Sequence, residues 1–189
     1  MGNKKNLIIL VLVFALIIGG ASVLYTQLGK TVDADQLEHQ ETQHSETTEE
    51  KILAPDFGVY DKGGNKVFLS DFIGEPIVLN FWASWCGPCQ MEMPDFNEKY
   101  LELGEDVNFL IVNMTDGSRE TVEKASGFID KKGYEFPVFY DTDMDAAETY
   151  MVYSLPTTYF IDSEGFLVAQ ATGAIDGETL QRGIDMIME

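Results

Sequence analysis

The only two cysteines of the 189-residue chain, Cys86 and Cys89, stand three residues apart between an apolar run and a helix-forming segment. Residues 77–81 have the composition of a buried strand, and residues 90–103 favour a helix. The free N–H groups and aligned peptide dipoles at a helix N-terminus favour negative charge, so they promote ionisation of a thiol there. Cys86 is therefore expected to attack a disulfide as a thiolate. Cys89 follows one helical turn later, where it can resolve the mixed disulfide.

Two other uses of a Cys-x-x-Cys pair remain open at this point, a structural zinc site and a purely structural disulfide. A zinc site needs four ligands. The chain has no second pair of this kind, and its two histidines, His39 and His44, lie in an acidic stretch that we expect to be unfolded. A structural disulfide closing so short a loop would constrain the unfolded chain little. The pattern thus favours redox chemistry, with no metal and no cofactor besides the disulfide itself.

The sequence around the cysteines, Phe-Trp-Ala-Ser-Trp-Cys-Gly-Pro-Cys, resembles the active-site motif of the thioredoxin superfamily. From about residue 54 onward the chain resembles the membrane-anchored, extracytoplasmic TlpA/ResA-like thiol–disulfide oxidoreductases. The matching features, in order, are Ala-Pro-Asp-Phe at residues 54–57, Pro94, and Leu-Pro-Thr-Thr at residues 155–158. The resemblance implies an α/β, thioredoxin-like three-layer fold. Its central mixed sheet would carry helices on both faces, an N-terminal β-hairpin and a central αβ insertion.

The alternation of apolar runs and helix-forming segments agrees with this fold. It predicts the order βαβ, then an inserted αβα over residues 114–153, then ββα. Within the insertion we expect one helix over residues 118–132, with Ser118 as its N-cap, and a short helix over residues 144–151.

The resemblance assigns roles to the residues of the cysteine motif. Cys86 would be the nucleophile and Cys89 the resolving thiol. Gly87 and Pro88 shape the turn between them and are typical of a reducing rather than an oxidising couple. Trp85 would cover the disulfide and line a substrate groove, with ordinary core packing as the alternative.

Two further positions complete the expected site. Leu155 and Pro156 resemble the loop whose cis-proline faces the cysteines and whose backbone pairs with an extended substrate chain, with a trans turn proline as the alternative. Asn80 departs from soluble thioredoxins, which carry a buried Asp at this position as proton acceptor. Glu92 resembles the glutamate that the ResA-like branch uses instead. Its alternative is a solvated acid on the helix surface.

The N-terminal segment is predicted to be a membrane anchor. Lys4 and Lys5 precede residues 7–25, which carry no charge and as a helix would span about 28 Å, close to the roughly 30 Å of a bilayer core. We favour an uncleaved signal-anchor over a cleaved signal peptide, because the small residues 19–22 lie inside the apolar run. The basic residues then place residues 1–6 in the cytoplasm and everything after the span outside.

The remainder divides into a linker and one domain. Residues 26–52 are predicted to be an acidic, disordered linker, and residues 53–189 a single thioredoxin-like domain. From Lys51 onward there are 9 basic and 25 acidic residues, a net charge of −16. Such a charge argues against binding to nucleic acid or docking on anionic lipid. We expect a monomer.

These features predict a single-pass protein of the cell membrane with its catalytic domain on the extracytoplasmic face. It would reduce disulfides of exported proteins by dithiol–disulfide exchange, drawing electrons from a membrane thiol carrier. The resemblance implies cytochrome c maturation or repair of oxidative damage, for example through methionine sulfoxide reductase, as the destination of the electrons.

Two alternative functions stay open on the sequence. A copper-binding module would use the two cysteines with a further soft or imidazole ligand, and residues 53–189 contain no histidine. A thiol peroxidase would carry Pro-x-x-x-Thr/Ser-x-x-Cys, but Leu79 and Ala83 occupy the first two of these positions before Cys86.

Overall fold

A nine-stranded mixed sheet organises the part of the chain that the computed structural model describes, residues 37–38 and 51–188. In chain order the strands are β1 (Leu37–Glu38), β2 (Ile52–Leu53), β3 (Gly58–Tyr60), β4 (Lys66–Phe68), β5 (Ile77–Trp82), β6 (Asn108–Asn113), β7 (Val138–Tyr140), β8 (Thr157–Ile161) and β9 (Phe166–Thr172). The helices are α1 (Gly87–Leu103), α2 (Val122–Lys132), α3 (Asp145–Thr149) and α4 (Gly177–Ile187), with a 3-10 turn at Leu69–Phe72. The predicted order βαβ, αβα, ββα is confirmed.

Strand β5 is central and leads directly into the cysteines. It pairs in parallel with β6 on one side and antiparallel with β8 on the other. All six of its residues are buried, which explains why the run is apolar throughout instead of alternating. The one polar residue in the run is Asn80, and its side chain therefore needs a hydrogen-bonding partner inside the protein.

Alternate residues of β5 point into two separate cores. Val78 and Trp82 belong to the core covered by α1, α2 and α4, where the ring of Trp82 lies 5.8 Å from that of Phe128. Ile77, Leu79 and Phe81 belong to the opposite core, which α3 and the 3-10 turn help to close. The expected thioredoxin-like arrangement, a sheet with helices on both faces, is confirmed.

Helix α1 carries the cysteine pair at its start. Cys86 is the N-cap, and Pro88 lies in the first turn of the helix. An N–H group in the first turn has no acceptor within the helix, so a proline there costs no hydrogen bond. The helix packs against α4, and α4 itself lies close to the sheet at Gly183. A Cβ at Gly183 would come within 2.2 Å of the Phe160 ring, so this position requires glycine.

The prediction that α2 begins at Ser118 is wrong. The helix begins at Val122, and the hydroxyl of Thr121 accepts the capping bond from the Lys124 N–H at 3.2 Å. Ser118 instead lies in a turn in which its N–H donates to Oδ1 of Asp116 at 2.7 Å. Local side-chain hydrogen bonds of this kind compete with helix formation.

The short helix α3 is also smaller than predicted. It covers Asp145–Thr149 instead of residues 144–151. Met144 and Met151, the two ends of the predicted segment, have φ angles of 58° and 47°. These left-handed backbone conformations cannot continue a right-handed helix.

The predicted anchor and most of the predicted linker lie outside the described residues. Strand β1, within the predicted linker, and strand β2, at its boundary with the domain, both pair antiparallel with β9. Among the residues that the structure describes, no helix has the length and apolar character needed to span a bilayer. The predicted span at residues 7–25 lies outside the described residues.

Candidate active site

A disulfide joins Cys86 and Cys89 at the junction of β5 and α1, with the two Cα atoms 5.3 Å apart. The N–H of Cys89 donates to Sγ of Cys86 at 3.2 Å. A thiolate at Cys86 would receive the same bond, in addition to the favourable field of the helix N-terminus. Cys86 is 4% exposed and Cys89 is fully enclosed. Of the two sulfurs, that of Cys86 is the one a substrate can approach.

A groove of about 600 Å³ opens beside Cys86. The structure brings together here four of the residues predicted to bind substrate: Trp85, Gly87, Pro88 and Leu155. The groove is completed by residues that the sequence did not indicate, namely Met114, Asp116, Arg119, Met144, Val152, Tyr153 and Ser154. Most of these are apolar, so the groove suits a hydrophobic segment next to the reacting sulfur.

The Leu155–Pro156 peptide bond is cis, as the resemblance implied, and the trans alternative is wrong. The carbonyl of Pro156 accepts a bond from the Gly173 N–H at 2.9 Å. The backbone N–H and carbonyl of Leu155 have no hydrogen-bonding partner in the described part of the chain. Leu155 therefore offers a backbone edge to an extended substrate, at the rim of the groove that contains Cys86.

Glu92 is buried, one helical turn after Cys89 on α1, so the solvated-acid alternative is wrong. Its Oε1 accepts a bond from Nδ2 of Asn80 at 2.9 Å, and its Oε2 accepts one from the Ile175 N–H at 3.1 Å. Burial raises the pKa of Glu92 to about 8, and the charge of Asp95 acts in the same direction. The two hydrogen bonds oppose the rise but do not cancel it.

Asn80 supports this carboxylate from the central strand. Besides its bond to Glu92, Nδ2 of Asn80 donates to the Thr158 hydroxyl at 3.0 Å. Both hydrogens of the buried Asn80 amide group are thus used in hydrogen bonds. The acid that soluble thioredoxins carry on the strand is here on the helix, and the strand supplies a neutral donor to it.

The chain is similar to known proteins over most of its length. The AhpC/TSA family matches residues 52–170 of the chain. The thiol-disulfide oxidoreductase ResA of Bacillus thuringiensis (strain Al Hakam) is 33% identical over 181 residues, covering 94% of this chain and 95% of that protein. The chain belongs to the AhpC/TSA family. It is a thiol–disulfide oxidoreductase of the ResA type, and thus an enzyme.

Solved structures with the same fold come from several bacteria. A putative thiol:disulfide interchange protein DsbE from Chlorobium tepidum has a TM-score of 0.65 at 29% identity, and covers 76% of this chain and 100% of its own. The exposed lipoprotein thioredoxin Etrx1 from Streptococcus pneumoniae strain TIGR4 has a TM-score of 0.59 at 35% identity, with coverages of 69% and 98%. The thioredoxin-like fold is therefore established by comparison as well as by topology.

This ResA-type site contains a second buried carboxylate, Glu120, which sequence reasoning missed. Its Oε1 and Oε2 accept bonds from the Ser84 N–H and hydroxyl, both at 2.7 Å, and Oε1 also accepts from Nδ2 of Asn113 at 2.8 Å. Nε2 of Gln90 donates to the Ser84 carbonyl at 2.6 Å. Ser84, two residues before the nucleophile, is therefore held through its N–H, hydroxyl and carbonyl.

Arg119, next to Glu120, was missed as well. Its guanidinium lies 3.5 Å from the centre of the Trp85 ring, a cation–π stack at the groove. Trp85 is 43% exposed, so the alternative of plain core packing is wrong. Nothing in the local sequence distinguishes Arg119 or Glu120 from the many other charged residues. Only the fold brings residues 119–120 against residues 84–85.

Within the described residues, no group of three or more His, Cys, Asp or Glu side chains is arranged to hold a metal ion. The acidic spacing Asp141, Asp143, Asp145 is superficially similar to a cation-binding loop. These carboxylates are engaged elsewhere: Asp141 accepts from the N–H groups of Ala146 and Ala147, and Asp145 from that of Gly58. These three carboxylates therefore provide no further ligand for the copper-binding module considered as an alternative.

Proposed function

We propose that this enzyme is a membrane-tethered reductase that transfers electrons to disulfides of exported proteins on the extracytoplasmic face. The uncharged segment at residues 7–25, with Lys4 and Lys5 before it, supports the tether and its orientation. The similarity to ResA supports dithiol–disulfide exchange as the chemistry. The observation that carries the reductase mechanism is the buried Glu92 carboxylate, one turn from the resolving cysteine.

The first step uses the reduced dithiol. The Cys86 thiolate attacks one sulfur of a substrate disulfide, a Cys86–substrate disulfide forms, and the other substrate sulfur leaves as a thiolate. The N–H of Cys89, which lies 3.2 Å from Sγ of Cys86, stabilises the attacking thiolate. The groove holds the substrate segment, and the backbone of Leu155 pairs with it.

The second step releases the reduced substrate. Cys89 loses its proton and attacks the Cys86 sulfur. The Cys86–Cys89 disulfide forms, and the second substrate sulfur leaves as a thiolate. Two electrons have then passed from the dithiol to the substrate.

Glu92 is the proposed acceptor of the Cys89 proton. A pKa of about 8 in the disulfide form means that the acid retains this proton at neutral pH once the disulfide has formed. The same acid can return the proton when the pair is reduced again. The reductant is a membrane thiol carrier, and the proposed acceptors are the haem-site cysteines of apocytochrome c or an extracytoplasmic repair enzyme such as methionine sulfoxide reductase.

The direct test is a trapping experiment in the native host. Cys89→Ser retains the nucleophile but cannot resolve the mixed disulfide, so it should accumulate covalent complexes with exported proteins. Cys86→Ser is the matched control and should trap none. Identification of the trapped proteins then names the acceptor. The assignment is inverted if Cys86→Ser traps substrates and Cys89→Ser does not.

A further inference from the structure

Arg119 is the basic residue among those that line the groove beside Cys86. Its guanidinium carbon lies 3.5 Å from the centre of the Trp85 ring, so the side chain rests on this residue at the exposed rim of the groove. An arginine stacked in this way still presents its N–H groups around the edge of the plane, in the geometry that binds a carboxylate through two parallel bonds.

No acid pairs with this guanidinium among the described residues. Residues 51–189 carry 25 acids and 9 bases, and five of the bases form ion pairs: lysines 51, 62, 66 and 99 and Arg182. Of the four described bases without an ion pair, Arg119 and lysines 124, 131 and 132, only Arg119 lines the groove. The nearest acid in sequence that also lines the groove is Asp116. Its Oδ1 accepts bonds from the N–H groups of Ser118 and Glu120 and from the Ser118 hydroxyl, and it makes no ion pair with Arg119.

The backbone that carries Arg119 is fixed on both sides. Asp116 holds the N–H groups of residues 118 and 120, and Nζ of Lys124 donates to the Arg119 carbonyl at 2.7 Å. The side chain of Glu120 ties the same loop to Ser84. The guanidinium is thus pre-organised, and binding a ligand group there requires little loss of conformational freedom.

We infer that Arg119 is a specificity-determining residue that favours substrates carrying a carboxylate beside the reactive disulfide. The inference rests on the proposed function and names the substrate class of the same groove. The net charge of −16 on residues 51–189 does not favour long-range attraction of an acidic partner. That field is screened over about 8 Å at physiological salt, so the preference arises from direct contact after docking.

The test compares three matched disulfide substrates. Each is the symmetric disulfide of a blocked peptide with one cysteine, followed by Glu, Gln or Lys. The second-order rate constant for reduction is measured with wild-type enzyme, Arg119→Gln and Lys131→Gln. Lys131 is exposed on α2 and away from the groove lining, so Lys131→Gln removes the same charge without touching the site.

We expect the wild type to reduce the Glu peptide about tenfold faster than the Gln peptide, the scale of one charge-assisted hydrogen bond at a partly exposed site. Arg119→Gln should bring this ratio close to one, and Lys131→Gln should keep it. A wild-type ratio of one, or a ratio that survives in Arg119→Gln, overturns the inference. An equal loss on every peptide in Arg119→Gln also overturns it, because Arg119 then acts only by supporting Trp85. If the wild type reduces none of the peptides, the proposed reductase function itself fails.

Discussion

The side-chain amide of Asn80 lies 2.9 Å from Oε1 of Glu92 and donates a hydrogen bond to it. The two residues face each other across the interface between the central strand and the first helix, and both are 2% exposed. An amide can support the carboxylate in either protonation state, because a protonated carboxyl group still accepts a bond. Asn80 can therefore keep its hydrogen bond to Glu92 whether or not the carboxyl group is protonated.

Glu92→Gln should slow resolution of the mixed disulfide by about a hundredfold near neutral pH, the usual scale of general-base catalysis. Burial raises the pKa of Glu92, so the fraction of the basic carboxylate and the wild-type rate should both increase with pH, and the variant should lose this phase. Stopped-flow measurement of resolution from pH 5 to 9 checks this. Glu98→Gln, an exposed acid on the same helix, is the control. Superimposable profiles for wild type and Glu92→Gln would exclude Glu92 as the base.

The same acid should make stability pH-dependent in a defined direction. Its pKa rises from 4.5 in the unfolded chain to about 8 in the folded protein, so between these values only the folded state binds the proton. The contribution of Glu92 to the free energy of unfolding is then fully present below about pH 4.5 and decreases as pH rises toward 8. At about 1.4 kcal/mol per pKa unit, the upper bound is on the order of 5 kcal/mol. Urea unfolding of the disulfide form should show this decrease in the free energy of unfolding between pH 4.5 and 8, and Glu92→Gln should lack it. Parallel curves for the two proteins would contradict the prediction.

Asn80→Asp should turn the neutral donor into a second buried carboxyl group against Glu92. Two carboxylates in contact cannot both ionise, so the pair should share one proton. We expect a loss of roughly 3 kcal/mol in the free energy of unfolding at pH 8, as for an uncompensated buried charge. At pH 4 the introduced carboxyl group is protonated and can donate to Glu92, so most of the stability should return. A loss that is the same at both pH values would indicate a steric effect.

Much of the fold could be predicted because the relevant signals are local. The apolar run that begins at residue 77, the cysteine pair and Pro88 each specify their own conformation. The strand extends one residue further than the run at residues 77–81, and the helix begins three residues before the segment at residues 90–103. The prediction failed at Ser118, a plausible N-cap that instead lies in a turn held by Asp116, while Thr121 caps the helix. The two side-chain arrangements differ by only a few hydrogen bonds, so the local sequence does not decide between them.

The groove and its supports could be predicted only in part. Cys86, Trp85, Leu155 and Glu92 lie in motifs whose spacing carries the chemistry. Arg119 reaches the site through long-range packing, since its segment contacts residues some 35 positions earlier. A single sequence contains no periodicity that would reveal such a contact.

The predicted anchor gives a biochemical test that does not depend on the catalytic site. The mature protein should fractionate with membranes and retain its N-terminus, because residues 7–25 are long enough to span a bilayer and lack a clean cleavage site. Alkaline carbonate extraction and N-terminal sequencing check this. A soluble form that begins near residues 22–27 would instead indicate a cleaved signal peptide.

The bond between Glu120 and Ser84 should control both the stability of the site and the reactivity of Cys86. Glu120→Ala leaves the buried amide of Asn113 and the N–H of Ser84 without their acceptor. We therefore expect a loss of about 2 kcal/mol in the free energy of unfolding. The loosened turn should also lower the rate at which Cys86 of the reduced protein is alkylated.

Glu120→Gln separates the geometry of this bond from its charge. Its amide oxygen can accept from Ser84 and Asn113, and its amide nitrogen can donate to the Ser84 hydroxyl, so the turn should hold. We expect Glu120→Gln to keep most of the stability and most of the alkylation rate that Glu120→Ala loses. Glu123→Ala, an exposed acid at the start of α2, serves as the control. If Glu120→Ala unfolds and reacts like the wild type, the contact with Ser84 has no part in holding the nucleophile.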